Sequence, residues 1–201
     1  MNSGFSAYWK DILRMETGIT ALLLHGLGNT SRWWAPFIGP FRKRSIDIIA
    51  PDLPKIGPAT PDDWLKMVHE ILDSIPGRVV IAGHSLGSSV AVLAACRHSL
   101  AGAVFLALPV YKSGEIPSTP QQVSLEPAAG AAVARFVLKA SRRVHSITCP
   151  AIHIAGDLDQ VVSTSYARSI LENMHVIQHT GHNLNESDEC IALVTDTLIK
   201  F

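Results

Sequence analysis

Six short apolar runs recur along the 201-residue chain, and most of them are followed by turn residues and then by a stretch with helical spacing. Each run is almost unbroken in hydrophobicity, which is typical of strands covered on both faces of a parallel sheet. The runs lie at residues 20–24, 46–50, 78–82, 103–107, 151–155 and 175–178. This alternation predicts an α/β fold, with a mostly parallel sheet of about six strands and helices on both faces.

Helix signals stand between the apolar runs. Thr60-Pro61-Asp62-Asp63 places a capping residue, a proline and two acids where a helix would begin, and Pro76-Gly77 would end it. Residues 85–97 and 187–199 predict two further helices. The first of these is rich in small residues, which allow close packing on a sheet.

The longest interval between predicted strands is 109–148. It begins with several prolines and continues into residues 127–143, which have a helical pattern. We expect residues 1–201 to form a single domain, in which this interval is a small lid over the strand ends.

Composition narrows the classes of function. Lysine plus arginine equals aspartate plus glutamate, at 17 each, so no basic excess indicates a nucleic-acid partner. The three cysteines are far apart and form no CxxC pair, so neither zinc nor a disulfide framework is predicted. No apolar run approaches the ~20 residues that span a bilayer. The odd number of cysteines and the lack of a signal-peptide pattern in residues 1–10 favour a cytoplasmic location.

A candidate nucleophile lies in Gly83-His84-Ser85-Leu86-Gly87, which follows the predicted strand 78–82 and precedes a helix. This strand–turn–helix setting is the one in which a G-x-S-x-G sequence carries a nucleophilic serine. The Ser85 hydroxyl would stand above the sheet, at a helix N-terminus that favours developing negative charge. Outside that setting, the same five residues could be an ordinary glycine-rich turn.

His25-Gly26-Leu27-Gly28 follows the first predicted strand, and its glycines would let a backbone N–H approach a bound oxygen closely. We expect the N–H groups of Leu27 and Leu86 to form an oxyanion hole. Taken alone, the turn could simply cap a strand, and His25 fits a structural role better than a catalytic one.

Two acids and two histidines compete for the remaining roles. Asp157 and Asp159 both follow the strand 151–155, and we favour Asp159 because Val161 and Val162 would anchor its loop in the core. His182 lies in Thr180-Gly181-His182-Asn183, on a loop after the last strand, and His179 is the plausible substitute. The order serine, aspartate, histidine along the chain fits groups placed on successive strand ends.

With these motifs in place, the sequence resembles the α/β-hydrolase family from residue 20 to its end. The matching positions are Gly83–Gly87, His25–Gly28, Gly156–Asp159 and Gly181-His182. Pro51-Asp52-Leu53-Pro54 and Trp64 are also similar to the small branch that includes retinoblastoma-binding serine hydrolase. The resemblance implies an α/β-hydrolase fold and a catalytic triad of Ser85, His182 and Asp159.

These observations predict a serine hydrolase that cleaves a carboxylic ester through an acyl-enzyme, without a metal or cofactor. Its partner would be a small-molecule acyl substrate. Candidate pocket walls, which suggest an uncharged and apolar acyl group, are Trp33, Trp34, Leu108, Val110, Tyr111 and Val161. For the two tryptophans, packing of their helix on the sheet is an equally good explanation.

Three other functions share these residues. A thioesterase would use the same groups, and Arg135, Lys139, Arg142 and Arg143 could meet a phosphate-bearing carrier, although a solvated helix face would also explain them. The fold also hosts lyases and cyclases. A binding protein is the last alternative, and it gives no reason for a serine, an aspartate and a histidine at these three places.

Overall fold

The computed structural model describes residues 18–111 and 125–201. Six strands form one sheet in the order β2-β1-β3-β4-β5-β6, and every neighbouring pair is parallel. The strands are β1 (Ile19–Leu24), β2 (Asp47–Ile49), β3 (Arg78–His84), β4 (Gly102–Leu106), β5 (Ala151–Gly156) and β6 (Met174–Ile177). The predicted fold class is therefore confirmed. Because all six strands run in the same direction, their carboxyl ends meet at one edge of the sheet.

Six α-helices lie among the described residues. They are α1 (Ala35–Lys43), α2 (Pro61–Ser74), α3 (Leu86–Ala95), α4 (Pro127–Ser141), α5 (Thr164–Arg168) and α6 (Asp188–Lys200). The predicted start of α2 is a capping box, in which the Thr60 side chain accepts from the N–H of Asp63 and the Asp63 carboxylate accepts from the N–H of Thr60. No helix in these two stretches of chain is long and apolar enough to cross a membrane.

Hydrophobic cores cover both faces of the sheet, because successive strand side chains point to opposite sides. On one face, Leu22 and Leu24 of β1 belong to a core that includes Trp64 of α2, Val90 of α3 and Phe136 of α4. On the other face, a second core joins the neighbouring β1 residues to α1 and α6. Its members include Ala21, Leu23, Phe37, Phe41, Val194 and Leu198.

The helical half of the interval 109–148 is α4, which packs against α2 and α3 as the crossover between β4 and β5. Its last residue, Ser141, accepts a hydrogen bond from the backbone N–H of Tyr111 at 3.1 Å. Residues 112–124 of the interval lie outside the described part of the chain. A lid at 109–148 therefore stays a prediction.

Candidate active site

Ser85 lies between the last residue of β3 and the first residue of α3, in a sharp turn. Its backbone has φ 53° and ψ −121°, which is an unfavourable conformation for a residue with a Cβ. The N–H of Ser85 donates to the carbonyl oxygen of Leu106, and the Ser85 carbonyl accepts from the N–H of Ser88, both at 2.9 Å. The surrounding structure thus holds a half-buried serine in a strained turn at the start of a ten-residue helix.

The turn after β1 lies directly against this elbow. A Cβ at Gly26 would lie 3.0 Å from the Cβ of Ser85, and a Cβ at Gly87 would lie 2.5 Å from the carbonyl oxygens of Leu24 and His25. A residue with a Cβ could not approach its neighbours this closely, so both positions need glycine. The buried His25 fixes the turn, since its Nδ1 donates to the carbonyl of Gly26 and its Nε2 accepts from the N–H of Leu53.

The two predicted oxyanion-hole residues therefore belong to segments that meet at the serine. Leu27 directly follows Gly26, and Leu86 directly follows Ser85. Leu86 is also the first residue of α3, and the first N–H groups of a helix have no partner within it. Both N–H groups are thus carried by backbone held close to Ser85.

Asp159 follows β5 and is joined to His182. Its side chain is 0% exposed, and its Oδ2 accepts a hydrogen bond of 2.8 Å from Nδ1 of His182. The N–H groups of Val161 and Val162 donate to the other oxygen at 2.8 and 2.9 Å. Burial alone would raise the pKa of the Asp159 carboxyl. The hydrogen bond from His182, its charge and the two backbone N–H donors have the opposite effect, and together they hold this pKa below its ordinary value. The carboxylate is therefore charged at neutral pH.

Asp157 has a different position. It is exposed, and its Oδ1 accepts from the N–H of Thr180 at 3.1 Å. Its contact is with the backbone of the loop that carries His182, not with the imidazole. Of the two competing acids, the structure brings Asp159 to the histidine.

The loops that carry Asp159 and His182 pack tightly together. A Cβ at Gly156 would collide with the carbonyl oxygen of Thr180 and lie 2.5 Å from that of Gly181. The N–H of Leu158 donates to the carbonyl of Thr180 at 3.0 Å. Glycine at position 156 is thus what allows the two loops to meet at this distance.

The His182 side chain is 19% exposed. Because a carboxylate can only accept, Nδ1 carries the proton shared with Asp159, and Nε2 of the neutral ring keeps its lone pair. Among the described residues no hydrogen bond joins the Ser85 hydroxyl to His182, and bonds of this kind often form only when substrate is bound. His179 is exposed, and among the described residues no hydrogen bond joins it to Asp159.

His84 contacts the site in a way that the sequence did not reveal. The structure places the buried ring between Trp33 and His182, where its Nε2 donates to the backbone carbonyl of His182 at 3.0 Å. No local pattern could have indicated this contact, because it depends on how a loop 98 positions later folds over the end of β3.

A cavity of about 630 Å³ opens beside His182. Its lining combines apolar Leu158 and Val161 with polar groups of the histidine loop, among them His179, Asn183 and Glu186. Val161 is the one predicted pocket residue in this lining. The two tryptophans, Trp33 and Trp34, lie in the core between α1 and the sheet, while Leu108, Val110 and Tyr111 belong to the core on the opposite face or pack against it. A pocket built from those five residues stays a prediction.

No group of three or more histidine, cysteine, aspartate or glutamate side chains in residues 18–111 and 125–201 is arranged to hold a metal ion.

Known proteins are similar to this chain in sequence and in fold. The model of the Alpha/beta hydrolase family matches residues 21–146. Over 70 residues, the chain is 37% identical to the pimeloyl-[acyl-carrier protein] methyl ester esterase of Legionella pneumophila strain Corby, and 36% identical to that of strain Paris. The match covers 35% of this chain and spans 29% of the length of these curated relatives.

Solved structures share the fold over most of the chain. A monoacylglycerol lipase from Paleococcus ferrophilus has a TM-score of 0.75 at 17% identity, covering 90% of this chain and 94% of the lipase. A meta-cleavage product hydrolase from Pseudomonas fluorescens IP01 has a TM-score of 0.69 at 18% identity, covering 91% of each chain. At these identities the likeness concerns the fold alone.

Proposed function

The chain belongs to the alpha/beta hydrolase family, and from that premise we propose that it is a serine esterase with Ser85 as nucleophile, His182 as base and Asp159 as the acid that orients it. One observation carries the proposal: the buried Asp159 carboxylate holds Nδ1 of His182 at 2.8 Å. This bond fixes the tautomer in which Nε2 can accept a proton. The loops that carry Asp159 and His182 follow β5 and β6. These strands end at the same edge of the sheet as β3, the strand before Ser85.

The proposed reaction has two halves. Nε2 of His182 takes the proton of the Ser85 hydroxyl while the serine oxygen bonds to the ester carbon. The N–H groups of Leu27 and Leu86 would stabilise the resulting oxyanion, and each such donor contributes about 3–4 kcal/mol in comparable sites. The tetrahedral species expels the alcohol, which receives the proton from His182. Water, activated by the same histidine, then releases the acid from Ser85.

Labelling with a fluorophosphonate tests the activated serine directly. We expect one covalent adduct per chain, located by peptide mass spectrometry on the segment that contains Ser85, and none in Ser85→Ala. An unmodified wild-type chain would contradict the proposal and favour a binding protein. An adduct without hydrolysis of any ester or thioester in a panel of acyl chain lengths would favour a lyase or cyclase.

A second candidate is an esterase or thioesterase that acts on a carrier-bound acyl group. The matched relatives from Legionella pneumophila carry names that specify such a substrate. In this chain Arg135, Lys139, Arg142 and Arg143 are all exposed on and after α4, and Lys139 pairs with the exposed Asp62 at 3.1 Å. Arg135, Arg142 and Arg143 would therefore be the cations offered to an acidic carrier protein.

Comparing one acyl methyl ester, free and attached to a carrier protein, separates the two candidates. If the carrier is recognised, the attached ester has the larger kcat/KM, and Arg135→Glu with Arg142→Glu lowers that value while leaving the free ester unaffected. Arg168→Glu, an exposed arginine on α5, is the matched control. Equal kcat/KM for the two forms of substrate would exclude carrier recognition.

A further inference from the structure

His84 contributes a second imidazole that contacts the predicted base, His182. His84 ends β3 and is buried, and its ring stacks on Trp33 with centroids 4.1 Å apart and planes 13° apart. On the other side, its centroid lies 4.8 Å from that of His182. Its Nε2 is 3.0 Å from the backbone carbonyl oxygen of His182.

The hydrogen bond defines the state of the His84 ring. A carbonyl oxygen only accepts, so Nε2 of His84 carries a proton and donates. Burial, with the neighbouring His182 adding to it, lowers the pKa of His84 to about 3, and the ring is therefore neutral. Nδ1 then bears a lone pair, and it has no hydrogen-bond partner among the described groups.

The donor on Nε2 is what distinguishes His84 from an apolar ring at this position. A buried acceptor without a partner costs stability, and a phenylalanine ring of similar size could stack on Trp33 without this cost. What phenylalanine could not supply is the donor to His182. Nδ1 also lies close to the turn after β1, since a Cβ at Gly26 would be 2.9 Å from it. The ring therefore fills the space between this turn and the histidine loop.

The same loop has a second attachment three residues later. Asn185 donates from Nδ2 to the backbone carbonyl of Trp33 at 2.9 Å, and Trp33 is the residue on which His84 stacks. The histidine loop is thus held at two places. His84 binds the backbone carbonyl of His182, and the backbone carbonyl of Trp33 binds the side chain of Asn185. Neither contact involves the ring nitrogens of His182, which stay available for Asp159 and for the serine.

We propose that His84 is a positioning residue: its Nε2–H fixes the backbone of His182, and together with Asp159 it leaves the imidazole a single orientation toward Ser85. This inference rests on the proposed esterase function. A catalytic group displaced by about 1 Å can lose on the order of 10²-fold in rate, whereas substrate binding elsewhere in the site is unaffected. Loss of the donor should therefore lower kcat and leave KM nearly unchanged.

The test compares His84→Phe with His84→Gln. Phenylalanine keeps the stacking on Trp33 and removes the donor, while the amide of glutamine can donate from about the position of Nε2. We expect kcat to fall roughly 10- to 100-fold in His84→Phe and to recover to within about fivefold of wild type in His84→Gln. His153→Phe is the matched control, because His153 is a second buried histidine with an unpaired Nδ1 and stacks on Phe105 away from the site.

A second readout needs no turnover. The proton between Asp159 and His182 gives a far-downfield proton NMR resonance, assigned by its loss in Asp159→Asn. Its position should change in His84→Phe and return in His84→Gln. If His84→Phe folds and keeps both wild-type kcat and this resonance, the inference is overturned. If wild type takes up no fluorophosphonate at Ser85, the esterase proposal fails instead, and the resonance still decides the positioning role.

If His84→Phe does not fold, His84→Asn replaces it. The asparagine side chain is one carbon shorter than that of glutamine, so its amide cannot reach the His182 carbonyl. We then expect His84→Asn to show the lowered kcat and the changed resonance, and His84→Gln to restore both. Equal behaviour of the two amides would overturn the role of the donor.

Discussion

Nδ1 of His182 lies 2.8 Å from Oδ2 of Asp159, although the two residues are 23 positions apart along the chain. The distance follows from the sheet. Strands β5 and β6 are parallel neighbours, paired from His153 with Met174 to Gly156 with Ile177, so the loops that leave them start at one edge. The absence of a side chain at Gly156 then lets the loops touch, and the covered side chain of Asp159 can reach the imidazole.

Substitution of Ser85 separates chemistry from backbone strain. Both Ser85→Ala and Ser85→Gly should lose at least about 10⁴-fold in ester turnover, because loss of a nucleophile leaves only the rest of the site. The glycine variant should be the more stable by about 1 kcal/mol, since φ 53° is unfavourable only for a residue with a Cβ. Activity assays and urea denaturation measure the two effects. More than a tenth of wild-type turnover in either variant would exclude Ser85 as the nucleophile.

Neutralising the two acids in turn distinguishes their roles. Asp159→Asn should lose on the order of 10⁴-fold in kcat, because an amide does not fix the tautomer of His182 or stabilise its charged form. Asp157→Asn should stay within a fewfold of wild type, since the asparagine oxygen can still accept from the N–H of Thr180. Steady-state kinetics with one soluble ester checks both variants, and the reverse ranking would transfer the role to Asp157.

The sequence predicted the elements that depend on local patterns. All six apolar runs became strands, and each differs from its predicted bounds by at most two residues at an end. Strand β3 differs most from its predicted bound at one end. It continues through Gly83 and His84, so that Ser85 follows it directly. The hydrophobic pattern ended at Ala82, whereas the ladder to β4 extends to the pair His84 and Leu106.

Contacts between distant segments could not be predicted in this way. The sequence left Asp157 and Asp159 as competitors, because either acid is close enough in the chain to reach over the sheet edge. Only the packed loops show which carboxylate contacts His182. The hydrogen bond from His84 to His182 was missed for the same reason, since it depends on two segments that meet only in the folded chain.

The pH dependence of acylation tests the assignment of the base. Two neighbouring groups do not change charge between pH 5 and 8. The pKa of Asp159 is held below its ordinary value, and the pKa of His84 is about 3. A histidine base must be neutral to accept a proton, so we expect the acylation rate to rise with pH through the single ionisation that leaves the base neutral. Rate–pH profiles measured by stopped flow would show it.

Two histidine variants are the controls for that profile. His182→Ala should lower the rate and flatten the acid limb, whereas His179→Ala should leave the limb in place, because His179 is exposed on the cavity rim. A limb that survives in His182→Ala and disappears in His179→Ala would assign the base to His179.

Buried neutral histidines should make the folded chain sensitive to acid. Burial lowers the pKa of His153 to about 4 and that of His84 to about 3, from an ordinary value of 6.5. As the pH falls below 6.5, the unfolded chain takes up protons that the folded chain does not bind, so the free energy of unfolding decreases. The decrease due to His153 continues until the pH reaches its folded pKa of about 4.

His153→Phe isolates one of these contributions, because the new ring can keep the stacking on Phe105 and has no titrating group. Between pH 7 and pH 5, the variant should lose about 2 kcal/mol less of its free energy of unfolding than wild type does. Urea denaturation at the two pH values measures the difference. His179→Ala is the control, since His179 is exposed and its replacement should leave the pH dependence as in wild type. If His153→Phe loses as much stability as wild type over this range, His153 is not held neutral by burial, and the acid sensitivity must come from other groups.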